Sequence, residues 1–198
     1  MSELDTHSTL IERVRDPEDG ESWQEFVELY EPLLLRFVLS QGTPMSEAHD
    51  IVQEVFTRLL HVIPNFDLDR KRGRFRSWLW SVSRNIVVDW ARRTRRQRDA
   101  EHEWSDRLAN LKDDENSRIA WCVAHKKRVL EFVLTRVRAA TVPKTWACFE
   151  EHLRKGRPAA SVAAELDVSA NSVYVNASRV LQRIRGLCAE YRETFDVD

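Results

Sequence analysis

Apolar residues recur every three to four positions along most of this chain, which is the spacing that gives a helix one buried face. Two stripes near the start show this spacing: Trp23, Phe26, Val27, Tyr30, Leu34, Phe37 and Val38, then Ile51, Val52, Val55, Phe56, Leu59, Leu60 and Ile63. Only 5 Gly and 6 Pro occur among 198 residues, so the tight turns of a sheet protein have few places to form. The sequence therefore predicts an all-α fold.

Three helices are predicted to form a first domain over residues 1–98. Ser22 and Glu25 have capping-box spacing, which predicts where the first helix begins. Residues 64–73 break the helical period and are rich in charge, so they predict a functional loop. The helix after this loop is expected to bury Phe75, Trp78, Leu79, Val82, Ile86 and Trp90 and to leave Arg76, Trp80, Arg84, Asn85, Asp89, Arg92 and Arg93 nearer the surface.

A second domain is predicted over residues 118–198, after an acidic linker at residues 99–117 in which apolar residues thin out. Its first helix is expected to pack through the following stripe: Ile119, Val123, Leu130, Val133, Leu134 and Val137. Near the end, two helices joined by a turn at residues 167–169 predict a helix-turn-helix, with Ser169 as the N-cap of the second helix. Small Ala163 at the crossing, with Val168 and Val173, is expected to fix the angle between the two helices.

Composition limits the broad class of protein. Hydrophobic residues make up 42% of the chain, which is enough for packed cores and argues against disorder throughout. The 3 cysteines are widely spaced, the first residues carry acids instead of an apolar signal segment, and no stretch reaches membrane-spanning length. We therefore expect a cytoplasmic protein without membrane insertion.

The net charge of −1 hides a separation of charge along the chain. Residues 1–69 are rich in acids, whereas residues 70–98 carry many arginines and Asp89 as their single acid. A basic run such as residues 90–98 is usually a solvated helix end. Here, however, Phe66 and Trp80 lie near arginines, and exposed aromatic rings beside arginines can stack on unpaired bases. The pattern favours a polyanion-binding face beside an acidic partner face.

Enzymatic chemistry is not indicated by any motif in the chain. Zinc-protease, phosphate-loop and nucleophile-elbow motifs are all missing from the sequence. Cys122 and His125 are three positions apart but lack a second pair of ligands for zinc. Asp50 and Glu54 share a helix face, where carboxylates are usually solvated, although they could instead contact a basic partner. The sequence predicts a protein that is not an enzyme and uses no cofactor or metal.

The second helix of the predicted helix-turn-helix is the candidate for reading DNA, because in this motif its first exposed residues enter the major groove. The residues predicted at base edges are Asn171, Ser172, Tyr174, Val175, Asn176 and Ser178. Asn can pair bidentately with adenine, whereas Arg179 is better suited to a phosphate. An ordinary helical hairpin inside a bundle remains the alternative.

Several motifs together resemble one family. The order Ala48-His49-Asp50-Ile51-Val52-Gln53-Glu54-Val55-Phe56, then Phe66-Asp67, Arg72-Gly73-Arg74-Phe75-Arg76-Ser77-Trp78-Leu79, and Arg84-Asn85 with Asp89 and Arg92-Arg93, is similar to the promoter-melting domain of bacterial extracytoplasmic-function (ECF) sigma factors. The later stretch Gly156-Arg157-Pro158, Val162-Ala163-Ala164-Glu165-Leu166 and Ser172-Val173-Tyr174-Val175 resembles their second DNA-binding domain. Together the two resemblances cover most of the chain.

The resemblance implies a set of partners and roles. The first domain would dock on the clamp helices of the RNA polymerase beta-prime subunit through Asp50, Gln53, Glu54 and Arg58. It would open the −10 promoter element with Phe66, Asp67, Arg70, Lys71, Arg72, Arg74, Trp80, Arg84, Asn85, Asp89, Arg92 and Arg93. The second domain would bind the polymerase beta flap and read the −35 element with Asn171, Ser172, Tyr174, Val175, Asn176, Ser178 and Arg179. The protein would then work as a monomer on core polymerase at promoter DNA in the nucleoid, and an anti-sigma factor is a further partner that the family allows.

Two departures from the family pattern bear on these expectations. Asp167 stands where the family commonly has Gly, and because Asp tolerates the left-handed conformation we expect the turn to keep its shape. The exposed front of the reading helix is polar and weakly basic, which leaves its −35 sequence open. The alternative function is a conventional operator-binding regulator that does not require polymerase; it explains the helix-turn-helix but not the aromatic and basic first domain.

Overall fold

The computed structural model describes residues 9–66, 75–97 and 115–191. The predicted site residues Asp67, Arg70, Lys71, Arg72 and Arg74 lie outside this part of the chain, as does most of the predicted linker. The helices of the described part are α1 (Leu10–Arg13), α2 (Gly20–Ser40), α3 (Met45–Val62), α4 (Phe75–Gln97), α5 (Glu115–Ala139), α6 (Pro143–Cys148), α7 (Ala159–Leu166) and α8 (Ala170–Glu190). The regular elements of the described residues are all helical, which confirms the predicted fold class.

The described residues divide into two compact units, the first ending at Arg128 and the second beginning at Val129. The first part of α5, up to Arg128, therefore groups with α1 to α4, although the sequence analysis assigns residues 118–128 to the second domain. In the part of the chain that the structure describes, no helix is long and apolar enough to cross a membrane.

Aromatic rings form the centre of the first unit. The ring of Phe26 lies 4.5 Å from Tyr30, 6.3 Å from Phe56 and 6.0 Å from Phe75, measured between centroids. Aromatic pairs at such distances add to the stabilisation from buried area. This cluster joins α2, α3 and α4 and fixes the faces that the three helices turn outward.

The start of α2 differs from the prediction. Its N-cap is Asp19, whose side chain accepts a hydrogen bond from the backbone N–H of Ser22 at 3.0 Å. The predicted capping box of Ser22 and Glu25 is wrong because both side chains are used elsewhere: Ser22 Oγ accepts from Arg13 Nε at 3.1 Å, and Glu25 pairs with Arg13 at 2.7 Å. These bonds tie the short helix α1 to α2.

The face that α4 buries is wider than predicted. Phe75 and Leu79 are buried as expected, whereas Trp78, Val82, Ile86 and Trp90 are only half-buried. Arg76 and Trp80, which the periodicity puts near the surface, are buried at 6% and 3% exposure. The reason is a second contact surface: Trp121 of α5 donates a hydrogen bond from Nε1 to the backbone oxygen of Arg76 at 2.9 Å, so α5 covers this side of α4.

The predicted packing stripe of α5 is also wrong at its start. Ile119, Val123 and Leu130 are exposed. The helix instead buries Trp121, His125, Val129 and Phe132, whereas Val133 and Val137 are buried as predicted. His125 Nε2 lies 3.3 Å from the hydroxyl of Tyr30, and Arg128 donates from Nε to the backbone oxygen of Leu29 at 3.1 Å. Polar contacts to α2 thus select this face.

In the second unit, α6 continues into a π-helical turn at Phe149–Arg154, and α7 and α8 follow. Its core contains Cys148, Ala159, Val162, Ala163 and Val173, with Leu166 and Val168 packed against it. Asp167 ends α7 with φ 51° and ψ 60°, the predicted left-handed conformation. Ser169 caps α8 by accepting from the backbone N–H of Ser172 at 3.0 Å, also as predicted.

Candidate nucleic-acid interface

The outer face of α3 carries four of the predicted site residues. Asp50, Gln53, Glu54 and Arg58 are all exposed. They lie on the outer side of the helix, because Ile51, Val55 and Leu59 on its other side are buried in the core. The packing of α3 therefore presents these polar side chains together on one side of the first unit.

A groove of about 650 Å³ lies between α3 and α4. Its lining residues are Glu54, Thr57, Arg58 and His61 from α3 and Val82, Asn85, Ile86 and Asp89 from α4. Glu54 and Arg58 belong to the predicted polymerase-binding set, whereas Asn85 and Asp89 belong to the predicted −10 set. The structure thus brings the two sets together along one groove.

An ion pair connects the two helices beside this groove. Arg93 Nη2 lies 2.8 Å and 3.1 Å from the two carboxylate oxygens of Glu54. Arg92 lies 3.6 Å from Asp89 on the same helix. All four side chains are about half exposed or more, so these pairs contribute little to stability and can exchange for other charged partners.

Phe66 is the last described residue of the predicted loop, and its partners come from the start of α4. Its ring is 4.6 Å from Trp78 and 5.6 Å from Phe75. Phe66 and Trp78 are both half-buried, and Arg15 donates a hydrogen bond to the backbone oxygen of Phe66. The sequence analysis predicts a buried Trp78, whereas this side chain is only half-buried, which periodicity missed.

Trp80 does not have the exposed position that the sequence predicts. The guanidinium carbon of Arg118 lies 5.1 Å from its ring centroid and that of Arg84 lies 6.0 Å away. For the indole Nε1 of Trp80, no hydrogen-bond partner is found among the described residues. Arg84 is itself half-buried in this contact. The first part of α5 thus covers the ring that was expected to meet DNA.

The exposed face of α8 starts immediately after its N-cap. Asn171, Tyr174, Val175 and Ser178 are exposed on one side, and Arg179 follows. Val173 and Ala177 are buried on the other side. The predicted base-contacting residues Ser172 and Asn176 point elsewhere: Ser172 Oγ is 2.8 Å from Ser169 Oγ, and Asn176 Nδ2 is 3.8 Å from Cys148 Sγ.

His152, in the π-helical turn, supports the exposed face of α8 in a way that the sequence did not indicate. Its ring meets that of Tyr174 edge-on, at 5.0 Å between centroids and an interplanar angle of 87°. Its Nδ1 donates to the backbone oxygen of Arg157 at 2.8 Å. Only the fold reveals this contact, because the two rings are far apart in sequence.

Charges around the π-helical turn are paired within the protein. Arg157 contacts Glu151 at 2.8 Å and Glu165 at 2.7 Å, and Lys155 contacts Glu151 at 2.5 Å. Hydrogen bonds from Lys155 and then Arg157 lower the pKa of Glu151 below its usual range. The same carboxylates raise the pKa of Arg157. This network joins the π-helical turn to α7.

Among the residues that the structure describes, no group of His, Cys, Asp and Glu is arranged to hold a metal ion.

Comparison with known proteins matches residues 26–97 to a family model described as sigma-70 region 2. The chain is 29% identical over 75 residues to the ECF RNA polymerase sigma factor SigW of Bacillus subtilis, a match that covers 38% of each chain. It is 30% identical over 80 residues to SigX of the same organism, covering 39% of this chain and 40% of the relative. A third match, to the ECF RNA polymerase sigma factor SigE of Mycolicibacterium smegmatis, is 26% identical over 97 residues. It covers 49% of this chain and 36% of the relative. The chain thus matches less than half the length of each of these relatives.

Proposed function

We propose that this chain, which is related to the ECF sigma factors through its region 2 at residues 26–97, binds core RNA polymerase and directs it to particular promoters. The observation that carries the proposal is the groove between α3 and α4 inside the region 2 match. There, Glu54 of the exposed α3 face lines the groove and pairs with Arg93 on the exposed side of α4 at 2.8 Å. A protein that joins polymerase to promoter DNA needs two such surfaces.

The outer face of α3 is the surface proposed to dock on the polymerase beta-prime clamp helices. This face consists of exposed polar side chains on a helix whose other side is packed into the core: Asp50, Gln53, Glu54 and Arg58. Because the helix already fixes their backbone, only the side chains lose conformational freedom on binding, which favours a specific interface. Charged pairs across such an interface contribute mostly to specificity and to the rate of association.

The exposed side of α4 and the neighbouring loop are proposed to hold the −10 element. Asn85, Asp89, Arg92 and Arg93 are exposed on α4, and the proposal also includes Asp67, Arg70, Lys71, Arg72 and Arg74, which lie outside the described residues. Opening DNA without ATP requires that protein contacts offset the lost stacking, roughly a few kcal/mol per extruded base. Phe66 and Trp78 at the loop boundary are the aromatic groups available for this stacking, together with arginines for the backbone.

The second unit is proposed to read the −35 element through the first turns of α8 and to contact the polymerase beta flap. A helix preceded by a second helix and a tight turn is the arrangement that enters the major groove in helix-turn-helix proteins. The exposed start of α8, the αL turn at Asp167 and the Ser169 cap support this role.

Substitution of Asp50 tests the proposed polymerase contact. Asp50→Arg reverses one charge on the docking face without breaking the ion pair of Glu54 with Arg93, so it is expected to weaken binding of core RNA polymerase by roughly tenfold or more. The affinity is measured by titrating labelled protein with purified core enzyme.

Glu31→Arg is the matched control, because it makes the same charge change at an exposed position of α2 and should leave the affinity as in the wild type. Equal affinities for wild type and Asp50→Arg would remove this face from the interface. If wild-type protein binds duplex DNA but not core polymerase, the operator-binding regulator becomes the better account.

A further inference from the structure

We propose that Tyr174 and Val175 read thymine methyl groups in the major groove of the −35 element. This inference rests on the proposed function of the second unit and specifies its sequence preference. It starts from an unusual property of α8: the centre of its exposed face is apolar, with Tyr174 56% and Val175 39% exposed.

The position of the two side chains decides what they can touch. Asn171, Tyr174, Val175 and Ser178 occupy adjacent turns on one side of the helix, directly after the N-cap. In a helix-turn-helix these are the turns that reach base edges. Asn171 and Ser178 can make hydrogen bonds at either end of the face, whereas the two residues between them offer mainly carbon surface.

Among the base edges of the major groove, only thymine presents a methyl group. An apolar side chain gains from contact with that methyl, but it would leave the polar edges of guanine, cytosine or adenine without water or a partner. Reading of guanine usually requires Arg or Lys, and Arg179, which is also exposed on α8, is assigned to a phosphate. Here the basic residues of the π-helical turn are engaged with acids: Arg154 with Glu150, Lys155 with Glu151, and Arg157 with Glu151 and Glu165.

His152 acts as a positioning residue for this contact. Its edge-on contact with Tyr174 at 5.0 Å restricts the tyrosine ring, and its own ring is held by the hydrogen bond to Arg157 O. A restrained aromatic ring loses less conformational entropy on binding than one that is free to rotate. The π-helical turn therefore prepares the apolar centre of α8 for a flat, apolar target.

The test begins with the holoenzyme, formed from the full chain and core polymerase, and promoter DNA with a randomised −35 region. Selection is expected to recover thymines at adjacent positions. Each of these thymines is then replaced by deoxyuridine, which removes the methyl group and preserves every hydrogen-bonding atom. Loss of one buried methyl should weaken binding by about fourfold, and this arm needs no variant protein.

Val175→Ser is the first protein variant. It should lose affinity for thymine-containing DNA and bind the deoxyuridine duplex as well as the thymine duplex. Val142→Ser is the matched control, since Val142 is 68% exposed and lies outside α7 and α8. This variant should keep the full methyl effect, which is the ratio of the affinities for the thymine and deoxyuridine duplexes. His152→Ala should reduce the ratio of the affinities for the thymine and deoxyuridine duplexes, and His152→Phe should restore part of this ratio.

Three outcomes separate this inference from the proposed function. Promoter-specific transcription with a methyl effect that Val175→Ser abolishes supports both. Promoter-specific transcription with equal binding of thymine and deoxyuridine DNA, or selection of sites without thymine, overturns the inference and leaves the proposed function standing. Absence of any protein-dependent transcription overturns the proposed function, and the inference falls with it.

Discussion

Trp80 shows how far a single residue can depart from the role that its spacing in the sequence indicates. Its spacing on α4 puts it away from the core stripe, next to arginines, as if it were available to unpaired bases. In the structure it is 3% exposed and lies beneath the guanidinium groups of Arg118 and Arg84. Arginine can cover an aromatic ring with its planar head and aliphatic stem, so a basic neighbourhood does not by itself indicate an exposed ring.

Trp80→Ala should therefore act first on stability. Removing a buried tryptophan side chain leaves a cavity and is expected to lower the free energy of unfolding by roughly 3–5 kcal/mol. Urea unfolding of the full chain, followed by circular dichroism, measures this change. Trp80→Phe keeps part of the packing and should lower the free energy of unfolding by less than Trp80→Ala does.

A wild-type stability for Trp80→Ala combined with slower promoter opening would contradict the buried position and restore the predicted contact with DNA.

Residues whose conformation depends on local sequence were predicted more reliably. Ser169 as an N-cap and Asp167 in the left-handed turn were both confirmed, because a cap or turn depends on residues within a few positions. The predicted cap of α2 at Ser22 was wrong. Ser22 and Glu25 contact Arg13 from another helix, and Asp19 is the N-cap.

At the level of elements, periodicity gave the existence of the helices but not always the face that each one buries. Most of the α8 face was predicted from sequence, because Asn171, Tyr174, Val175 and Ser178 are exposed and Val173 is buried. Helix α4 has apolar residues on several sides. The face that α4 buries depends on Trp121, which is 45 residues from its partner Arg76 in the chain. The spacing of apolar residues along α4 does not indicate that pairing.

The π-helical turn gives the second unit a pH dependence. The pKa of Glu151 is lowered by Lys155 and Arg157 in the folded state, so the stability that this carboxylate contributes is present above the ordinary glutamate range. It is lost as the pH falls through the folded-state pKa. Glu151→Gln should therefore lower the melting temperature near neutral pH, and the difference from wild type should shrink in acid.

Melting curves of the full chain at several pH values measure this difference. Glu190→Gln, near the end of α8, is a control for loss of one carboxylate outside the network. A difference between Glu151→Gln and wild type that stays constant down to strongly acidic pH would contradict the role of the ion pairs.

On the scale of the whole molecule, three surfaces account for the proposed activity. We propose that the α3 face binds polymerase through its acids and Arg58, that the α4 side binds the −10 element through Asn85, Arg92 and Arg93, and that the apolar centre of α8 binds the −35 element; these side chains are exposed. Glu54 and Arg93 pair with each other across the groove. Binding of polymerase to α3 and of DNA to α4 would replace this pair with two intermolecular ones.

The region 2 resemblance carried most of the functional prediction. Residue spacing alone predicted a polyanion-binding face, an acidic face and a helix-turn-helix, which are also compatible with an operator-binding regulator. Sequence reasoning did not reach the burial of Trp80, the partial exposure of Trp78 or the contact of His152 with Tyr174, because each depends on packing between residues far apart in the chain.

Reconstituted transcription tests the central claim most directly. Purified core RNA polymerase is incubated with a promoter library, with and without this protein, and the transcript start sites are mapped. The account predicts stoichiometric binding to core enzyme and start sites that occur only with the protein and share −10 and −35 elements. Identical start sites in both reactions, with no binding to core enzyme, would contradict it.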